Sequence, residues 1–220
     1  MTGRGLIPSL AVAALALAGC GGSSSTAANR APTTSTAQTT TATQATLGPE
    51  GIPLEAGPPL APASTTAPGT TIDGIQCAPS EQVAYHIHVH LQVYVNGSSR
   101  ALPGGIGMVG PVPQQTAYGL FFSAQQCYYW LHTHASDGVI HIESPTQRIY
   151  TLGNFFDEWR EPLSSQAVAG YTGRVTAVVN GKPWHSSPRA IPLEPHTEIE
   201  LAVGRPVPAF SAVSWAGTSL

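Results

Sequence analysis

The sequence predicts a mainly β domain, an antiparallel sheet or sandwich with one short α-helix near residues 152–160. Three observations carry this: strict period-two alternation along residues 83–95, Gly-containing tight turns between strand-like runs, and prolines that punctuate the intervening loops.

The elements follow in chain order. Val83, Tyr85, Ile87, Val89, Leu91, Val93 and Val95 occupy the odd positions of the first run, and His86, His88, His90 and Gln92 lie between them. A strand sends successive side chains to opposite faces, so the odd residues face a core and the histidines share the other side. Asn96-Gly97 then supplies a hairpin turn, and a second Val-Asn-Gly at Val179-Asn180-Gly181 hints at a repeated unit. Residues 127–143, CYYWLHTHASDGVIHIE, hold Asp137-Gly138 between two strand-like runs and read as another hairpin. The helix begins at Thr151 as N-cap and presents Phe155, Phe156 and Trp159 as its apolar patch. Residues 197–204 alternate again, with Ile199, Leu201 and Val203 on one face. Prolines 103, 111, 113, 162, 183, 188, 192 and 195 fall between these runs.

Three regions are expected. Residues 1–20 place one basic residue, Arg4, before an apolar run too short to span a bilayer, the layout of a secretory signal. Leu17-Ala18-Gly19-Cys20 resembles the bacterial lipobox, which implies a lipidated Cys20, a membrane anchor and an extracytoplasmic location. Residues 21–71 form a tether: of residues 21–70, 40 of 50 are Thr, Ala, Pro, Gly or Ser, too few apolar groups to offset the entropy of ordering. Residues 72–220 make the single β-rich domain, with 7 basic and 10 acidic residues, one of them Lys. That balance supplies no phosphate-binding stripe and argues against nucleic acid as a partner. With Cys20 lipidated, Cys77 and Cys127 remain as a disulfide pair in an oxidising compartment.

All eight histidines fall between residues 86 and 196. His86, His88 and His90 share one strand face. If Asp137-Gly138 are the two central residues of a type I′ turn, His134 sits opposite His141 and His132 opposite Glu143, all on one face. Three imidazoles and a carboxylate at that spacing suit a divalent metal, and their scarcity of thiolate and thioether partners points to zinc or copper(II) rather than a Met-rich copper(I) carrier. The candidate ligands are therefore His86, His88, His90, His132, His134, His141 and Glu143. His185 and His196 read as ordinary surface residues.

His-x-His on one strand with a third His on its neighbour is similar to the three-His zinc site of α-type carbonic anhydrases. His-x-His followed by Glu resembles the cupin metal motif, although Glu143 lies nine residues past His134, further than in cupins. The other motifs of both families are missing, so neither fold nor activity carries over. HIHVHLQVYVNG, YWLHTHASDGVIHIESP and YTLGNFFDEW together resemble a family of secreted bacterial His-rich lipoproteins, a likeness that brings no function with it.

Two function classes follow, with a third beside them. A membrane-anchored lipoprotein could capture, buffer or deliver the metal. A metal-dependent enzyme could use three histidines and an open position, with Glu143 or Asp137 as acid/base and Tyr128 and Trp130 walling a pocket. A structural or pH-sensitive His cluster in an interaction module is the remaining reading. The sequence has no GxSxG elbow, HExxH helix or phosphate loop.

Overall fold

The alternating runs become strands whose two faces have different fates. The computed structural model describes residues 46–220; the signal segment, Cys20 and the first part of the expected tether, residues 21–45, lie outside the described residues. The strands run β1 (Cys77–Ala78), β2 (Tyr85–Val95), β3 (Ser98–Arg100), β4 (Met108–Thr116), β5 (Gly119–Tyr129), β6 (Leu131–His132) and β7 (Val139–Ser144). After β8 (Tyr150–Thr151) comes the helix α1 (Leu152–Trp159), then β9 (Leu163–Ser164), β10 (Ala167–Val168) and β11 (Tyr171–Thr172). The chain closes with β12 (Val175–Val179), β13 (Lys182–Trp184), β14 (Pro192–Leu193) and β15 (Glu198–Val203).

The mainly-β expectation holds, and α1 is the one α-helix among the described residues. The largest sheet has the order β13-β12-β15-β2-β7-β6, with β3 also paired to β2. It departs from purely antiparallel in one place, because β15 runs parallel to β2 from Glu198↔His90 to Val203↔Val95. A second sheet, β1-β5-β4, is antiparallel. Both Asn-Gly pairs make the expected turns: Asn96 and Gly97 have φ of 49° and 78°, Asn180 and Gly181 of 50° and 74°. Positive φ at both central residues gives the backbone twist that a two-residue hairpin needs.

The apolar face of the large sheet meets α1. Val89, Leu91, Val93, Ile140, Ile142, Ile199 and Leu201 join Phe155, Phe156 and Trp159 in one buried cluster. Thr151 caps α1 through its hydroxyl to the Asn154 N–H, and Arg160 ends it in the left-handed region at φ 61°. The helix is only eight residues long, so packing of this aromatic face, not helix propensity, holds it. Cys77 and Cys127 are disulfide-bonded across β1 and β5, 50 residues apart in sequence. In the chain-entropy view a loop of that length contributes about 4 kcal/mol.

Two expectations are corrected here. The boundary at residue 72 is too late, because residues 46–71 belong to the folded unit. Ile52, Leu60 and Ala67 from this segment are buried, Leu60 N–H bonds to the Ala101 carbonyl, and Trp159 Nε1–H donates to the Pro62 carbonyl at 2.9 Å. The hairpin also pairs two residues out of the expected register, with His132↔His141 and Leu131↔Ile142, leaving residues 133–138 as its loop. Thr133 and His134 give their backbone groups elsewhere: the Thr133 N–H donates to the Ile106 carbonyl, and the Thr133 and His134 carbonyls accept from Gly105 and Phe122. A slip of two residues preserves side-chain parity, so the histidines keep their common face.

One buried acid is unrelated to the histidines. Glu158 on α1 is fully buried, and neither carboxyl oxygen has a hydrogen-bond partner. Burial, with Asp73 adding to it, holds its pKa well above the ordinary 4.5. A raised folded pKa contributes stability below the unfolded value, and that contribution is lost as pH rises through the folded one. Glu158→Gln should therefore unfold at a higher temperature than wild type at pH 8, with the difference closing by pH 4. Parallel melting curves across that range check this; a pH-independent difference contradicts it.

Candidate metal centre

β7 lies between β2 and β6, and this strand order builds the site. His141 on β7 is directly opposite His88 on β2 and His132 on β6. Glu143, two residues further on the same face, is opposite His86. The two histidine motifs thus form one continuous cluster. The β5 side chains cover part of it: Phe121 stacks on His134 with ring centres 4.5 Å apart, and Tyr128 lies 5.4 Å from His132. Trp130, the other aromatic expected to wall a pocket, instead packs edge-on against Tyr150 at 6.4 Å.

His132 and His134 show how the backbone sets imidazole chemistry. His132 Nδ1 is 2.9 Å from the Tyr129 carbonyl, and His134 Nδ1 is 2.7 Å from the Phe122 carbonyl. A carbonyl only accepts, so both Nδ1 atoms carry the proton and both Nε2 atoms of the neutral rings present lone pairs. Those two Nε2 atoms face each other at 3.1 Å. Protonating either ring would relieve the opposition, but the environment resists it. Burial, then His134 and His141, holds His132 well below its ordinary value, and burial followed by His141 lowers His134 to about 4. Two aimed lone pairs with fixed outer N–H groups are the arrangement of metal-ligating histidines, whose second nitrogen is held by a carbonyl or carboxylate.

Carboxylates complete the surroundings. Glu143 is 3% exposed and lies between the motifs, its Oε1 3.0 Å from His86 Nε2 and its Oε2 3.9 Å from His132 Nε2. His141 Nε2 is 2.7 Å from Glu50 Oε1, and His141 Nδ1 is 3.4 Å from Glu143 Oε1 without hydrogen-bond geometry. Burial presses the His141 pKa down, but Glu143 and Glu50 outweigh it and lift it to about 9. Burial likewise works to raise Glu50, and His141 reverses this and leaves it lowered. His88, by contrast, is pushed down to about 2, by burial first and then by His141 and His86.

These groups could hold a metal. Donor atoms of His132, His134, His141 and Glu143 all lie within 4.8 Å of one another, and those of His86, His88 and His141 form a second such set. A cleft of about 300 Å³ opens above them, with Glu50, Glu81, His86, His88, His134 and Glu143 among its walls. His132 lies beneath, fully buried.

Two of the expected site residues sit apart. His90 is buried with Nδ1 3.1 Å from Glu198 Oε2, and it belongs to neither donor set. The hairpin loop closes over its other nitrogen: a Cβ on Gly138 would come within 2.6 Å of His90 Nε2. Asp137 does not line the cleft. Its Oδ1 accepts from the Val139 N–H, and its Oδ2 is buried beneath Gly48. Burial and then Glu50 raise its pKa to about 8. Its place away from the cleft and its bond to the Val139 N–H make it a loop cap. His185 and His196 are exposed as expected, the latter stacked on Trp215.

Sequence reasoning missed Glu50 and Glu81. Glu50 fell within the supposed tether, yet a signal was present: Leu47, Ile52, Leu54 and Leu60 are the only Leu, Ile or Val residues in 21–70 and all lie after residue 46. Glu81 had no distinguishing signal. Its Oε1 is 3.4 Å from His134 Nε2, which only the fold brings about. Compared with known proteins by family model, by sequence and by solved structure, the chain has no significant match.

Proposed function

We propose that this protein binds a divalent transition metal, zinc or copper, as a lipid-anchored extracytoplasmic protein that captures, buffers or delivers it. The observation that carries the metal is the pair of unprotonated Nε2 atoms of His132 and His134, held 3.1 Å apart by carbonyls behind them. Without a cation this is an electrostatic cost buried in the fold. With one, both lone pairs gain a partner at the usual zinc–nitrogen distance of about 2.0–2.1 Å. Glu143 and His141 supply the remaining donors, and Glu50 orients His141 from behind as a carboxylate does in many zinc sites.

Imidazole and carboxylate donors suit both zinc and copper(II), and the donor set does not require the soft ligands of copper(I). The anchor rests on the lipobox-like Cys20 alone; detergent-phase partitioning of the full-length protein checks it, and recovery in the aqueous phase would remove it. A metal-dependent enzyme is the second reading, favoured by the cleft above the cluster and by Glu143 at its wall.

The decisive experiment is metal analysis of the protein purified without a His-tag, followed by calorimetric titration with zinc and copper(II). At least one equivalent per chain, bound with micromolar or tighter affinity, is expected. No uptake of either metal sinks the reading and promotes the purely structural cluster.

A further inference from the structure

One ion cannot meet all the buried donors of this cleft. His88 Nε2, His141 Nδ1 and Glu143 Oε2 are each buried without a hydrogen-bond partner. His88 and His132 flank His141 on opposite sides, each in a directly paired position, and their donor atoms fall in different sets. Donors to a single zinc-sized ion lie about 2.1 Å from it and hence within about 4.2 Å of each other. The donor atoms sort accordingly into two sets, with only His141 common to both. An ion among His132, His134 and Glu143 leaves His88 Nε2 as bare as before.

We propose that the cleft holds two divalent transition-metal ions. The second is bound by His86, His88 and His141, whose one nitrogen not held by Glu50 serves this ion alone, while the first keeps His132 and His134, and the Glu143 carboxylate spans the pair. This rests on the metal-binding reading above and extends it. Glu143 has the reach required, with one oxygen 3.0 Å from His86 Nε2 and the other facing His132 Nε2. The two positions also differ in access, since the His86 side chain is 39% exposed and that of His132 is fully buried. The inner ion is enclosed, whereas the outer one faces the cleft and is the one able to take an exchangeable oxygen ligand such as water or a small oxyanion. A carboxylate-bridged pair with one accessible ion is suited to activating water, which gives the cleft a use beyond storage.

The test is the stoichiometry of cobalt(II) and zinc uptake by the full-length protein, read by calorimetry and by metal analysis after gel filtration. Wild type should take up two ions per chain. His86→Ala and His88→Ala should each take up one, with the remaining affinity within about threefold of the tighter wild-type site. Substitution at the exposed His86 spares the core, so it keeps the test valid if His88→Ala fails to fold. One ion in wild type overturns the second site while leaving the metal-binding reading intact; no ion ends both. Two ions retained by His86→Ala would overturn the assignment of that histidine and with it the proposed outer site.

Discussion

His134→Ala should lower zinc or copper(II) affinity by on the order of a hundredfold, about 2.8 kcal/mol, while His185→Ala and His196→Ala leave it unchanged. Loss of a residue that merely orients a ligand typically costs ten- to a hundredfold, and His134 is placed as a ligand itself. Its Nδ1 proton is committed to the Phe122 carbonyl, and its Nε2 lone pair is aimed at the same point as that of His132. His185 and His196 are exposed and outside both donor sets, so they control for non-specific imidazole binding. The metal-free variant should also lose some stability. Alanine removes the stacking on Phe121 and the bond to the Phe122 carbonyl, the latter worth about 0.5–1.5 kcal/mol, offset in part by removal of one of two opposed lone pairs from a buried site. Calorimetric titration with melting curves of the metal-free forms separates the two effects. Wild-type affinity in His134→Ala would overturn the assignment of this residue.

How much of this was legible in the sequence depends on the range of the interaction concerned. Local signals read well. The alternation of β2, both Asn-Gly turns and the Thr151 cap of α1 are each decided within a few residues, and each is found where expected, except that the strand begins at Tyr85 and leaves Val83 exposed. The common face of the histidines also survived, because parity along a strand is insensitive to a register slip of two. What failed was decided by distant partners. The hairpin register moved because Thr133 and His134 bond to residues 105, 106 and 122 in preference to continuing along β7. His90 left the expected ligand set because β15, more than a hundred residues later, places Glu198 beside it. The parallel pairing of β15 with β2 could not be read from its alternation, which is the same for either direction. Glu50 and Glu81 reach the site through loops whose course no periodicity reports.

A chain beginning at residue 72 should be far less stable than one beginning at residue 46, even though composition assigns the intervening segment to a tether. Ile52 and Leu60 are buried to 0% and 3% exposure, and each such side chain is worth about 1.5–3 kcal/mol. Together they amount to about 3–6 kcal/mol, a large part of the 5–15 kcal/mol that holds an ordinary domain together. The deletion also strands polar groups. The Trp159 indole N–H loses the Pro62 carbonyl, the Leu102 N–H loses the Glu55 carboxylate, and the Gly107 N–H loses the Thr66 hydroxyl. For a domain of this size the melting temperature should fall by roughly 6–24 °C. The shorter chain also lacks Glu50, the carboxylate behind His141, and should bind metal at least tenfold more weakly where it remains folded. Thermal unfolding and zinc titration of the two chains, each with its disulfide intact, measure both effects. Equal melting temperatures would show that residues 46–71 rest on the domain without supporting it.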